Sequence, residues 1–191
     1  PEHVFTLLLA LSRNLLAYRQ SVATGRWQQA EQFCFFDHPI RDLHGMTLAI
    51  IGSGSLGSGV ARLAEAFGMR VLRSERKDAA TLRPGYTPFA EILREADVIS
   101  LHCPLTSATR HLIGADELQA MKRSALLLNT ARGGLVDEAA LLAALQQGHI
   151  AGAGFDVLSV EPPTAGNPLL TAELLALPNF LLTPHVAWAS Q

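Results

Sequence analysis

Short apolar runs alternate with amphipathic segments over most of the chain, and the alternation starts at residue 47. Runs at 47–52, 69–73, 97–101, 124–129, 151–155 and 179–183 are mostly apolar and too short for helices, which predicts strands buried on both faces. Between them, 55–67, 88–95, 115–121 and 137–147 read as helices, with Gly148 where a C-terminal glycine cap belongs. Repeated strand-then-helix order predicts a parallel sheet covered on both faces, a doubly wound α/β fold over 46–191.

The first 45 residues follow another pattern. Val4, Leu7, Leu8, Leu11, Leu15 and Tyr18 recur at three- and four-residue steps, which predicts one amphipathic helix over 3–24 ended by Gly25. Residues 26–45, with Trp27, Phe33, Phe35 and Phe36, show neither period and read as an irregular aromatic arm. Such an arm is held against another surface, for instance a partner subunit, or packs on its own domain. Neither segment has an evident covering element in a doubly wound domain, so a homodimer is expected, with packing of the helix on a further domain as the alternative.

Composition changes this picture little. The 191 residues are 49% hydrophobic and 17% charged with a formal net charge of −2, enough for a sizeable core and without the basic excess of nucleic-acid or anionic-membrane binders. Cys34 and Cys103 are far apart and form no metal-ligand spacing, which suits a reducing compartment such as the cytoplasm. The apolar stretch Leu7–Leu11 is too short to span a bilayer and lacks the flanks of a signal peptide. The chain starts at Pro1 and stops at Gln191, inside what reads as a functional loop, so it is expected to be a domain of a longer protein.

The first chemical signal is Gly52-Ser53-Gly54-Ser55-Leu56-Gly57, between a predicted strand and a predicted helix. This is the order a dinucleotide pyrophosphate needs: Gly52 for the tight turn, Gly54 for backbone approach to the phosphates, Gly57 for close packing of helix on strand. Glu75 follows Gly57 by 18 positions, where a ribose-binding carboxylate is expected. It predicts a Rossmann-type domain for NAD. Arg73, Arg76 and Lys77 around it attract a 2′-phosphate and keep NADP as the weaker alternative.

In such folds ligands lie beyond the carboxyl ends of the strands. Those ends carry His102-Cys103-Pro104, Thr130-Ala131-Arg132-Gly133-Gly134, Asp156 and Pro184-His185. Each has a plain structural alternative. Arg132 is then a surface cation, Asp156 and Glu161 are loop acids near Pro162-Pro163, and His185 is a satisfied buried histidine. His102, His111 and His149 compete with His185 for a catalytic role. His149 falls in a helix-to-strand turn at the opposite edge and His111 in a loop or helix segment, so both read as structural.

The glycine turn, Leu101-His102-Cys103-Pro104-Leu105-Thr106, Asn129-Thr130-Ala131-Arg132-Gly133-Gly134, Phe155-Asp156-Val157 with Glu161-Pro162, and Thr183-Pro184-His185 together resemble the D-isomer-specific 2-hydroxyacid dehydrogenase family. Phe35-Phe36-Asp37-His38 and Trp188 further resemble its glycerate dehydrogenase (hydroxypyruvate reductase) branch. The resemblance implies that Arg132 binds the substrate carboxylate, His185 gives a proton to the carbonyl oxygen as hydride arrives, and Glu161 pairs with that histidine. It implies that Ser55 and Leu56 contact the pyrophosphate, Thr130 and Ala131 the nicotinamide ribose, Asp156 the nicotinamide, and Cys103 and Pro104 the adenosine wall. The implied substrates are hydroxypyruvate/D-glycerate or glyoxylate/glycolate. Phosphoglycerate or D-lactate, or a dinucleotide-sensing co-repressor-like scaffold, are the alternatives. The family's substrate-binding lid is absent from this chain, so binding of NAD(H) with poor turnover is expected.

Overall fold

The computed structural model describes residues 1–189. The chain opens with helices α1 (Glu2–Ser12) and α2 (Leu15–Ala23). It continues through β1 (Thr47–Ile51), α3 (Ser55–Ala66), β2 (Arg70–Arg73), α4 (Phe89–Glu95), β3 (Val98–Leu101), α5 (Ala115–Ala120), β4 (Leu126–Asn129), α6 (Glu138–Gln146), β5 (Gly152–Phe155), α7 (Ala172–Leu175) and β6 (Phe180–Leu182). The six strands form one sheet in the order β2-β1-β3-β4-β5-β6, and every pairing is parallel. From β1 the chain steps to β2 on one side and then crosses to β3 on the other, so the topological switch point lies at the carboxyl end of β1.

Alternating strand residues feed two cores. Ala49, Ile51, Ile99, Leu101, Leu127, Ala153 and Phe155 join Ile92, Leu118, Leu141 and Leu174 from α4, α5, α6 and α7 on one face. Leu48, Ile50, Val98, Leu126 and Leu128 meet Val4, Leu7, Leu8 and Leu11 of α1 and Val60 and Ala64 of α3 on the other. The predicted strands and core helices are all present, shortened by one or two residues at their ends. Asp137 caps α6 through bonds from Ala139 N and Ala140 N, both 3.0 Å, and Gly148 follows it at φ 65°. Helix α7 lies in a stretch whose pattern predicts no element, because four residues carry too little periodicity.

The start of the chain needs correction. The single helix predicted over 3–24 is two helices, broken at Arg13–Asn14. Asn14 takes the left-handed conformation (φ 50°, ψ 41°) and its side-chain amide donates to Pro39 O at 2.5 Å, while Arg13 pairs with Asp42. After the break Leu15 points outward and is 58% exposed. The expectation that this helix lacks a covering element also fails for its first half. α1 lies on the sheet itself: a Cβ at Gly154 of β5 would stand 3.0 Å from Leu7 Cβ, and Leu8 is fully buried. Periodicity identifies the apolar face of α1 and cannot say which surface receives it.

The arm over 26–45 packs on α2 of its own chain. Tyr18 donates to His38 O at 2.7 Å, Ser21 Oγ lies 3.0 Å from His38 Nε2, and Arg26 makes a two-bond pair with Asp37 at 2.6 and 2.9 Å. Phe33 and Phe36 nevertheless remain 86% and 74% exposed.

Candidate active site

Strand register lines up the site. Ile51, Leu101, Asn129, Phe155 and Leu182 stand side by side across β1, β3, β4, β5 and β6, so the residues that follow them emerge along one edge of the sheet. That edge includes the switch point.

After β1, Gly52 has φ 100°, and a Cβ there would stand 2.5 Å from Cys103 N and from the carbonyl carbon of His102. Gly57, in the first turn of α3, faces the Gly52 carbonyl so closely that a side chain would overlap it. Gly54, by contrast, has nothing within 4 Å of where a Cβ would be, and it starts α3 with no side-chain cap. The Ser53 hydroxyl is buried there without a partner. A helix start with free N–H groups, an open glycine and an unsatisfied hydroxyl fits a pyrophosphate. Ser55 and Leu56 are exposed beside it.

After β2 the structure adds something that the spacing does not reveal. The predicted ribose carboxylate, Glu75, is only 5% exposed and already engaged. Arg83 donates from Nε to Oε2 (2.8 Å) and from Nη2 to Oε1 (2.7 Å), and the backbone N–H groups of Arg76 (2.9 Å) and Arg83 (3.1 Å) also point at the carboxylate. The Arg83 guanidinium, helped by the Arg76 N–H, pulls the Glu75 carboxyl down to about 2. The position expected to offer a free carboxylate to a ribose therefore holds an occupied one. Lys77, grouped by sequence with Arg73 and Arg76, is bound 2.8 Å away to Glu117.

After β3, His102 is largely buried with Nε2 2.8 Å from Ser100 Oγ, and burial pushes its imidazole down to about 4. Cys103 is half-buried, which pushes its thiol up, and Pro104 is exposed next to it. After β4, the buried Asn129 side chain accepts from Ala131 N (3.1 Å) and donates to Arg132 O (2.9 Å), locking the turn through half-buried Thr130 and Ala131. The Arg132 side chain is exposed and its Nη1 donates to Ala131 O at 2.6 Å. Gly133 allows this turn to lie directly on the backbone of Leu158 and Ser159, where any side chain would overlap.

After β5 and β6 two acids hold the histidine loop. Asp156, 1% exposed, accepts from Thr183 Oγ1 (2.5 Å), Val186 N (3.0 Å) and Ala187 N (2.8 Å). These bonds bracket His185, which sits at φ 55°, a left-handed conformation that a non-glycine residue keeps only when its surroundings hold it. His185 Nδ1 meets Glu161 Oε2 at 2.5 Å, and Glu161 Oε1 accepts from Leu158 N at 2.7 Å. Arg132, Glu161 and His185 thus emerge on one edge from three different strand ends. His111 Nδ1 lies 3.8 Å from Asp137 and its backbone N–H donates to Gly134 O, and His149 stands in the turn before β5; the histidine that meets Glu161 is His185.

Three supporting residues escape a reading by motif. His3 of α1 lies 2.8 Å from Thr183 Oγ1 and 3.4 Å from Asp156, behind the histidine loop. Glu138, the buried first residue of α6, accepts from Ser159 N (2.6 Å), Ser159 Oγ (2.8 Å) and Asn167 Nδ2 (2.9 Å), anchoring the loop that carries Glu161. Arg83 is the third. His3 and Glu138 act across long sequence separations, Arg83 across only eight residues, and no motif or periodicity in the sequence marks these pairings. Among the described residues no group of three or more His, Cys, Asp or Glu is placed to hold a metal ion, and no helix is long and apolar enough to cross a membrane.

A nucleotide cradle at the switch point of a doubly wound parallel sheet defines the class: a Rossmann-type dinucleotide-binding domain, here with ionisable side chains gathered on the same edge. A family model described as D-isomer specific 2-hydroxyacid dehydrogenase, NAD binding domain, matches residues 5–187, and the chain belongs to that family. It is 53% identical over 191 residues to a glycerate dehydrogenase of Methylorubrum extorquens, covering 100% of this chain and 59% of that protein. It is 42% identical over 197 residues to a glyoxylate reductase of Korarchaeum cryptofilum, covering 99% of this chain and 56% of that one. The crystal structure of Aquifex aeolicus D-lactate dehydrogenase complexed with NAD and lactic acid superposes with a TM-score of 0.83 at 33% identity, over 100% of this chain and 60% of that one. The chain spans less than two thirds of the length of these relatives.

Proposed function

We propose that the chain is the cofactor half of an oxidoreductase that interconverts a small D-2-hydroxy acid and its 2-keto acid, with hydroxypyruvate/D-glycerate or glyoxylate/glycolate as the leading pairs. The observation that carries this reading is the 2.5 Å contact of His185 Nδ1 with Glu161 on the edge that also holds Arg132 and the glycine turn. The names of the glycerate dehydrogenase and glyoxylate reductase relatives support the substrate class.

With Nδ1 committed to Glu161, Nε2 is the nitrogen that gives a proton to the substrate carbonyl oxygen, and the carboxylate stabilises the imidazolium from which it leaves. The second Glu161 oxygen is tied to Leu158 N, so the acid cannot swing away. Arg132 offers a planar fork to the substrate carboxylate once it releases the Ala131 carbonyl. NADH, when bound, supplies the hydride. Gly52, Gly54, Ser55, Leu56 and Gly57 hold the pyrophosphate at the start of α3, Glu75 borders the ribose, and Cys103 and Pro104 wall the adenosine. Thr130 and Ala131 flank the nicotinamide ribose. Asp156, whose side chain is wholly buried, serves the nicotinamide side by holding the Thr183–Ala187 loop in place.

Hydride transfer needs a dry, closed cleft. The side chains of His185 and Glu161 are 39% and 32% exposed, so a closing domain from the rest of such a protein is required, and the chain alone binds NADH with poor turnover. The exposed Leu15, Phe33 and Phe36 support a homodimer in which a second copy covers α2 and the arm. The two free cysteines suit a cytoplasmic setting. A panel of 2-keto acids with the protein that carries this domain tests the reading. His185→Ala should cost about 10²–10⁴ in turnover and leave NADH binding intact. Tight NADH binding with no turnover of any 2-keto acid would point to the sensing scaffold. A monomeric mass by light scattering would refute the dimer.

A further inference from the structure

The ribose end of the cofactor site is electrostatically different from what its acidic residue suggests. A free carboxylate after β2 accepts the ribose hydroxyls and repels a 2′-phosphate. Glu75 is not free: its two oxygens take five hydrogen bonds, three of them from the Arg83 side chain. The Arg83 side chain is 49% exposed and lies over the Tyr86 ring, 3.7 Å from its centroid, so the guanidinium forms the outer surface of the pair. Arg73 and Arg76 are exposed on either side of Glu75. Residues 73–83 carry four basic and two acidic side chains, the second acid being the exposed Asp78, and Lys77 is already paired with Glu117. The local balance is positive.

We propose that Arg83 sets the cofactor preference of this domain. By closing on Glu75 it turns the acidic discriminator into a neutral pair bordered by Arg73 and Arg76, so that a 2′-phosphorylated dinucleotide is accepted alongside NAD(H). Two properties of arginine make it suited to the task. Its fork satisfies both carboxylate oxygens at once, and its half-exposed guanidinium keeps donors beyond those that Glu75 takes. The inference rests on the dinucleotide reading of this same site.

Calorimetric titration of the chain with NADH and with NADPH tests it without any need for turnover. A ratio of the NADPH to the NADH dissociation constant below about 20 supports the proposal and a larger ratio overturns it, since a free acid facing a phosphate discriminates more strongly than that. Arg83→Ala frees Glu75 to accept the ribose hydroxyls and to repel a 2′-phosphate, and should raise the ratio at least about tenfold. Arg83→Lys should recover part of the loss. Should Arg83→Ala not fold, Glu75→Gln leaves Arg83 without its anion and should tip the preference toward NADPH. An unchanged ratio in the folded variants overturns the proposal while leaving dinucleotide binding standing. Failure of NADH itself to bind would sink the dinucleotide reading instead.

Discussion

Mild acid should destabilise this domain through one residue, His102. Its imidazole is largely buried beside Ser100 at the end of β3, and burial, with the positive charge of the Pro1 terminus added to it, lowers it from an ordinary 6.5 to about 4. Between those values the unfolded chain binds a proton at this position and the folded chain does not. Stability is therefore fully present above pH 6.5 and falls as the pH drops towards 4. The slope approaches 1.4 kcal/mol per pH unit, and the whole shift is worth about 3 kcal/mol, a large part of the stability of an ordinary domain. Glu75 loses its own contribution only as the pH falls from 4.5 towards about 2, so the two windows scarcely overlap. The assay is urea unfolding at intervals from pH 7 to pH 4 for the parent and for His102→Gln, which keeps a partner for the Ser100 hydroxyl. The other histidines act equally in both proteins and cancel in the difference. The parent should lose about 3 kcal/mol more than the variant over this range. Parallel curves would refute the reasoning. NADH affinity of the folded domain should hold over most of this range and fall only as the pH nears 4, where the folded imidazole itself takes a proton behind the Gly52 turn.

Other outcomes follow from the contacts. Leu8→Ala should cost about 2–5 kcal/mol, since Leu8 is fully buried between α1 and the sheet, and an unchanged melt would mean that α1 is not part of the domain core. Asp156→Ala leaves the Val186 and Ala187 N–H groups unpaired and should cost about 2–4 kcal/mol, with faster hydrogen exchange at those two residues as the specific sign. Glu138→Ala should cost about 1–3 kcal/mol and loosen residues 158–167; in the protein that carries this domain it should lower kcat more than it weakens NADH binding. Gly154→Val would press on Leu7 and Leu128, and a loss of about 1–3 kcal/mol by thermal melting is expected.

Much of the candidate site was readable because its parts are local. A strand, a glycine turn and a helix are consecutive in the chain, and their order alone locates the nucleotide cradle at Gly52–Gly57. The strand ends are also local: once the apolar runs are recognised as parallel strands, His102, Thr130, Asp156 and Thr183 must fall on one edge, because parallel register aligns like ends. What tertiary structure decided is how distant segments use those residues. The break at Asn14 depends on a carbonyl 25 residues away, and the destination of α1 on the sheet depends on a glycine in β5. The hold on His185 comes from Asp156, and the anchor of the Glu161 loop from Glu138. At position 75 a shorter return, eight residues long, did the same. An acid at position 75 reads as a free carboxylate in sequence, and only the folding back of residues 76–87, which lays Arg83 across it, makes it half of a neutral pair. Sequence fixes which groups are present and, through periodicity, which face each element buries. The state of charge and the freedom of each group are set by the neighbours that folding brings against it.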